Sequence, residues 1–315
     1  MGNLLKYSGI VTKIRAMEAK LLTPEQFADI ANLRSVPDIA DYLRKNTAYA
    51  EVLDTLTEDQ IHRGNIEKVL VQSLYHDYTK IYRFCGQSQR EFMKLIMKGY
   101  EIELINYCLR IVINHYKKPF DFNYKSAFFD RYSQISIGKL ITARTTDELV
   151  ENLKETEYYA PLKKIKDTDN VTLYDYNLAL DLYYYTSTWK EQKKILKKSD
   201  LELFMRDRGS KIDLLNIQWI YRAKKYYNMK PADIYLMLIP IHYKVSTELV
   251  KDMVEAPGVE EFENVVIRTT YARHYNFKQN LTMEQMYADC LHHLYTADRR
   301  KNPYSVSAIN TYLFL

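Results

Sequence analysis

Ile102-Glu103-Leu104-Ile105-Asn106 returns 110 positions later as Ile212-Asp213-Leu214-Leu215-Asn216. A second pair of segments keeps nearly the same offset. Leu43-Arg44-Lys45-Asn46-Thr47-Ala48-Tyr49 is echoed by Leu153-Lys154-Glu155-Thr156-Glu157-Tyr158, and Thr156 follows Thr47 by 109 positions. Two unrelated patterns sharing one offset imply an internal duplication. Solenoid repeats have periods of roughly 20–50 residues, so each unit here is a small helical subdomain of its own.

Composition points to the same class. The chain has 315 residues but only eight glycines and eight prolines, fewer than turn-rich β folds or glycine-cradled phosphate sites require. Leu, Ile, Lys and Glu are abundant, which favours helix. The net charge of +5 is a balance of 45 basic and 40 acidic residues, so no nucleic-acid partner is implied. The 29 tyrosines suit half-buried helix faces and protein interfaces, or an ordinary tyrosine-rich core. Cys85, Cys108 and Cys290 lie far apart in apolar patterns, as expected of buried thiols in a reducing compartment. No apolar run follows Met1, and Lys6 stands where myristoylation wants Ser or Thr. The longest apolar run, Tyr235 to Ile241, is broken by Pro240 and is too short to span a bilayer, so a soluble chain without a direct membrane span is expected.

Working outward along the chain, Thr23-Pro24-Glu25-Gln26 reads as a capping box with proline at the first helical position. Phe27, Ile30, Ala31 and Leu33 supply the apolar face, and Val36-Pro37-Asp38 ends that helix before the next begins at Asp38. Ile66, Val69, Leu70, Leu74, Tyr78, Ile81 and Phe84 form one helical stripe. Phe92, Leu95, Ile96, Leu104, Cys108 and Ile111 form another, and the two read as a hairpin joined near Gly86. Lys117-Lys118-Pro119 closes the first unit. Phe120 to Tyr132 reads as an aromatic, irregular linker. Long helices are then expected from near Asp175 (Leu178, Leu182, Tyr185, Trp189) and from Leu201 to Tyr227 (Leu214, Leu215, Trp219, Ile220). Met229-Lys230-Pro231-Ala232-Asp233 marks a second boundary. A fainter third unit carries Phe262, Val266 and Thr269-Thr270-Tyr271, then helices from Met283 and from Val306. The expected organisation is all-α, with lobes over 1–118, 119–230 and 231–315, the third ending at Leu315 without its last helix.

Catalytic and ligand-binding patterns are weak. Cys290-Leu291-His292-His293 offers metal-ligand types, but on a helix His292 points away from the other two and no further ligand pair is near. Glu101 with Glu103, and Asp207 with Asp213, alternate with Lys and Arg in the manner of solvated faces. Phosphate-loop, dinucleotide and nucleophile-elbow strings do not occur. Lys193 to Lys198 reads as a solvated helix end. No catalytic, cofactor or metal site is therefore expected. The polar groups that stand out are Asn106 with Arg110 and Asn216 with Arg222, spaced one to two turns apart. They either tie each long helix to the Thr-x-Tyr helix of its own unit or line a partner surface; the structural role is favoured, since buried polar groups need partners.

These residues together resemble a known family. Ile14-Arg15-Ala16-Met17 with Leu21-Leu22-Thr23, the Thr47/Tyr49 and Thr156/Tyr158 motifs, Glu103-Leu104-Ile105-Asn106, Asp213 to Ile217 and Tyr221-Arg222-Ala223-Lys224 look like the C subunit of the V-type/A-type ATPases, the counterpart of the d subunit of the vacuolar proton pump. The resemblance spans essentially the whole chain. It implies three pseudo-threefold-related helical lobes forming a funnel, and a non-catalytic socket in the central stalk. Its expected partners are the central-stalk rotor subunits, the proteolipid ring and the membrane stator subunit, on the cytoplasmic side of the membrane. Thr47, Tyr49, Asn106, Arg110, Thr156, Tyr158, Asn216 and Arg222 are then the repeat-motif or partner-contact residues. The alternatives are a helical-repeat interaction scaffold, which a 34- or 40-residue period would mark, and an all-α enzyme built around Cys290 and His293.

Overall fold

The computed structural model describes residues 2–116, 122–168, 170–274 and 282–314, all helix, turn or loop with no strand among them. The boundary expected at Lys117, Lys118 and Pro119 falls outside the described residues, as does Leu315. The chain opens with α1 (Gly2–Glu18), whose Tyr7, Ile10, Val11, Ile14 and Met17 are buried at helical spacing. The capping box at Thr23 forms as its sequence requires: Gln26 N–H donates to Thr23 Oγ1, and the Gln26 side chain returns to the Thr23 N–H. It starts α2 (Pro24–Ala31), which buries nothing fully; Phe27 is exposed. Pro37 does not break a helix but sits in the first turn of α3 (Val36–Asn46), capped by Ser35. The short α4 (Ala50–Leu53) leads to α5 (Arg63–Phe84) and α6 (Gln87–Ile113).

Gly86 N-caps α6, and Tyr78 Oη donates to the Met93 carbonyl across the α5–α6 turn at 2.9 Å. The expected linker over Phe120–Tyr132 is instead mostly a helix, α7 (Asn123–Tyr132). Its aromatic residues are core: the Phe128 ring stacks on Tyr75 at 4.3 Å and meets Tyr78 edge-on at 5.2 Å. Three short helices follow, α8 (Ile137–Leu140), α9 (Thr146–Glu151) and α10 (Tyr159–Lys166), then the long α11 (Leu173–Ile195), capped by Thr172 and Asp175. The longest helix is α12 (Lys198–Lys225). The remainder comprises α13 (Pro231–Met237), α14 (Thr247–Glu255), α15 (Val259–Val266), α16 (Met283–Lys301) and α17 (Val306–Phe314).

Long helices pair between successive stretches of chain. α6 packs along α11, α12 along α16, and α17 against both α12 and α1, so the two ends of the chain meet. One large core joins α1, α5 to α11 and α17, and a second lies beneath α12 to α16. No helix among the described residues is long and apolar enough to cross a membrane.

Candidate functional site

The Thr-x-Tyr segments adopt one turn. Thr47 Oγ1 donates to the Leu43 carbonyl at 2.5 Å and accepts from Tyr49 N–H at 3.2 Å. Thr156 repeats both bonds, to Leu153 at 2.7 Å and from Tyr158 at 3.3 Å. Thr269 donates to the Val266 carbonyl at 2.7 Å, in the third echo of the motif. The threonine hydroxyl adds a hydrogen bond to a carbonyl in the last turn of the preceding helix or just past its end.

The tyrosines then reach acids on the long helices. Tyr158 Oη donates to Glu101, which also accepts from Ser133 Oγ at 2.6 Å and Gln134 N–H at 2.9 Å. Tyr271 Oη donates to Asp213 at 2.9 Å, and the N–H groups of Tyr243, Lys244 and Val245 donate to the same carboxylate at 3.1, 2.7 and 3.2 Å. In each case an acid on one long helix holds the loop and the Thr-x-Tyr turn that follow it in the chain. Glu101, Asp207 and Asp213 are therefore buried, not on solvated faces. The register also differs from the pentapeptide match: Asp213 is paired in sequence with Glu103, yet Glu103 is exposed and Glu101 makes the corresponding bonds. Tyr49 makes no such bond; it lies half-buried near Asp77, whose carboxylate accepts from Tyr312 instead.

Glu157, inside the second turn, is fastened to Lys98 Nζ at 2.6 Å, Tyr183 Oη at 2.6 Å and Gln134 Nε2 at 2.7 Å. Burial opposes its charge, but those hydrogen bonds outweigh burial and hold the carboxyl below its usual range.

The two asparagines part company. Asn216 Nδ2 donates to the Ile239 carbonyl at 3.0 Å and Asn216 Oδ1 accepts from Ile239 N–H at 2.9 Å. It thus clamps the backbone beyond α13, not the Thr-x-Tyr helix of its own unit. Asn106 Oδ1 is buried without a hydrogen-bond partner among the described residues. Asn216→Leu, which strands a buried N–H and carbonyl, is expected to cost about 1–3 kcal/mol in urea unfolding. Asn106→Leu is expected to leave stability unchanged or slightly raised. Equal losses at both positions would mean that Asn106 has a bond the present geometry does not contain.

Asn106 and Arg110 belong to a groove between helices from distant parts of the chain. Its two chambers, about 290 and 360 Å³, share Gly99, Glu103 and Tyr184. α6 forms one wall, α11 and α12 the other, and Tyr295 of α16 with Asn310 of α17 close the end. Gly99 permits the narrow waist, since a Cβ there would stand 3.3 Å from Tyr184 Oη. Gly209 serves α12 likewise: its Cβ would lie 2.5 Å from the Tyr243 ring. The groove is polar and mixed in charge. Arg110 is exposed at one chamber and Arg208 is buried at the other. Burial alone raises Asp181 to about 6. Burial would raise the Tyr184 phenol too, but Arg208 and Lys211 outweigh it and bring it below its ordinary value.

Arg222 is not in this groove. It lines a separate cavity of about 570 Å³ with Tyr174, Trp219 and Met237, 4.0 Å from Glu284. Cys290 is buried while His292 and His293 are exposed, so this trio does not converge. Sequence reading missed Arg208, Lys211 and Tyr184. The available signal was the polar run Arg208-Gly209-Ser210-Lys211 in the middle of a long helix, where a solvated face needs no glycine.

Comparison with known proteins gives a consistent family. The family model described as ATP synthase (C/AC39) subunit matches residues 10–315. The C subunit of the A-type ATP synthase of Methanosarcina mazei is 27% identical over 265 residues, spanning 84% of this chain and 71% of that protein. The Thermococcus kodakarensis protein of the same name is 26% identical over 242 residues, 74% of this chain and 61% of its own length. That of Methanocaldococcus jannaschii is 24% identical over 275 residues, 86% and 67% respectively. With nearly its whole length matched and the repeated turn built from the motif residues themselves, the chain belongs to the ATP synthase (C/AC39) subunit family.

Proposed function

We propose that this chain is the non-catalytic socket of a rotary ATPase central stalk. It receives the tip of the rotor shaft in the groove, rests on the proteolipid ring at the cytoplasmic face of the membrane, and carries torque between them for H⁺ or Na⁺ transport. The observation that carries the reading is the groove itself: a polar concavity whose walls come from α6, α11, α12, α16 and α17, inside a chain whose first and last helices touch. Three helical lobes, over 1–118, 119–230 and 231–315, arranged about that concavity would present one recess to a single shaft and one rim to a ring. Stiffness fits the role: interlocked acids and tyrosines fix the second and third turns against long helices, and packed interiors transmit strain. On this reading Arg110 stands in the wall facing the shaft, and Thr47, Tyr49, Thr156, Tyr158 and Asn216 are framework. Arg222 lies beside the second cavity, a separate contact surface.

The test is ATP-driven ion uptake by proteoliposomes holding the complex with and without this chain. The expected result is that hydrolysis by the head persists while uptake is lost and returns on adding the purified chain back. Normal coupled uptake in its absence would end the proposal.

A further inference from the structure

Two cations stand on the α12 side of the groove, and the acids that also line it, Glu103 and Asp181, form no ion pair with either among the described residues. Arg208 is 6% exposed; Nη1 donates to Tyr184 Oη at 3.0 Å, and the guanidinium lies 4.9 Å from the Tyr184 ring centroid and 5.2 Å from that of Phe204. Lys211, three positions along α12, lines the same chamber. Among the described residues neither forms an ion pair. The surrounding acids are engaged elsewhere: Asp298 with Arg206, Asp207 with Asn310, Glu157 and Glu191 with Lys98. Glu103, on the α6 wall, is exposed and pairs with neither.

Two like charges one helical turn apart in a half-dry groove repel each other, and each pays a desolvation cost that no carboxylate offsets. Burial disfavours the Lys211 ammonium, Tyr184 opposes this only in part, and the Arg208 charge adds to it, so Lys211 loses its proton more readily than usual. The guanidinium, meanwhile, lies within cation–π reach of two rings with one N–H engaged. That is a pre-set fork for a carboxylate. The chamber also exceeds what one small anion fills: Ile96 and Tyr100 line it, and it continues past Gly99 into the second chamber. A polypeptide segment covers those walls where a free ion leaves them wet.

Resting on the socket reading above, we propose that Arg208, Lys211 and Tyr184 form a receptor for one carboxylate of the segment of the rotor shaft that enters the groove. The Arg208 fork and the Lys211 ammonium share the two oxygens, and Tyr184 steadies the guanidinium. The isolated chain is then strained at this point, and shaft binding relieves the strain.

That opposition supplies the test. Lys211→Met removes an uncompensated charge and keeps the side-chain length. Its melting temperature is expected to rise, while affinity for the purified central-shaft subunits falls roughly tenfold or more and the salt dependence of binding shallows. Lys211→Arg is expected to restore binding. Should wild-type chain fail to bind the shaft subunits, the socket reading itself falls. Should it bind, with Lys211→Met binding equally well, the receptor is overturned. A titration with inorganic phosphate separates the remaining source. Saturable stabilisation of the wild type that is lost in Lys211→Met, together with undiminished shaft binding by that variant, would assign the cations to a free anion and also overturn the proposal.

Discussion

Asp213→Ala is expected to be the most damaging single substitution in the framework. The Asp213 side chain is 2% exposed and accepts four hydrogen bonds, from the N–H groups of Tyr243, Lys244 and Val245 and from Tyr271 Oη. Alanine leaves three backbone donors and a phenol facing a void. Each stranded buried donor costs about 1–3 kcal/mol, and relaxation with water entry recovers part of the sum. A net loss of about 4 kcal/mol is a large share of the 5–15 kcal/mol typical of a folded domain. Tyr271→Phe removes one donor and leaves the carboxylate three, so it is expected to cost only about 1 kcal/mol. The two variants, unfolded in urea side by side, check the ordering. Similar small losses would mean that the Tyr243–Val245 loop is held by its own turn geometry and that Asp213 is an accessory.

Helix stripes were legible in the sequence because burial follows a period set by the backbone. Ile66, Val69, Tyr78 and Ile81 lie inside α5 as their spacing requires, although Phe84 at its end is exposed. Caps were legible for a related reason, since Thr23 and Gln26 need only each other. The buried acids were not. Glu101 sits among Lys98 and Glu103 in sequence, an ordinary solvated run. What buries it arrives from Ser133, Gln134 and Tyr158, 32 to 57 positions away. The pentapeptide match misled by two residues, and on a helix two residues are more than half a turn. The duplication was detected through its apolar letters, while the polar letter that makes the bonds had slipped to the neighbouring turn. α7 was hidden by a different effect. Phe122, Phe128 and Phe129 give no clean helical stripe, and the helix is decided by ring packing against α5 and α6.

Similar physics explains the unpaired cations in the groove. A Lys or Arg inside a helix reads as solvated by default, because its long stem usually carries the charge to water. Arg208 departs from this since its guanidinium itself is buried against Phe204 and Tyr184, and Gly209 beside it lets the Tyr243 loop close over α12. Framework and groove are thus one construction: the Asp213 bonds that seat the 243–245 loop also set the helix whose preceding turn presents Arg208.

Closure of the chain on itself rests on a second buried acid. Asp200→Leu is expected to open it. Asp200 is 4% exposed and lies in the first turn of α12, where the helix dipole favours a negative charge. Its Oδ2 accepts from Tyr7 Oη at 2.7 Å and Lys6 Nζ at 3.0 Å, and its Oδ1 from Val306 N–H at 3.3 Å. One carboxylate therefore joins the first helix, the last helix and the long central one. Leucine keeps its branched shape, with somewhat more bulk, but strands a phenol, an ammonium and an N–H, at an expected cost of about 3 kcal/mol. The loss should be local before it is global. Amide hydrogen exchange is expected to quicken in α1 and α17 while α6 and α11 keep their protection. If the chain is the socket proposed above, opening it at that seam leaves a shaft enclosed on most sides but yielding under torque, so ATP hydrolysis in the assembled complex should continue with ion uptake sharply reduced. Further ties cross the seam, among them Arg299 with Glu18, Tyr312 with Asp77 and Asn310 with Asp207. If exchange in α1 and α17 stays slow in Asp200→Leu, the remaining ties hold the closure and the buried carboxylate is dispensable. If exchange quickens but uptake is unchanged, the seam opens without consequence, and the proposed torque path must run through α6, α11 and α12 alone.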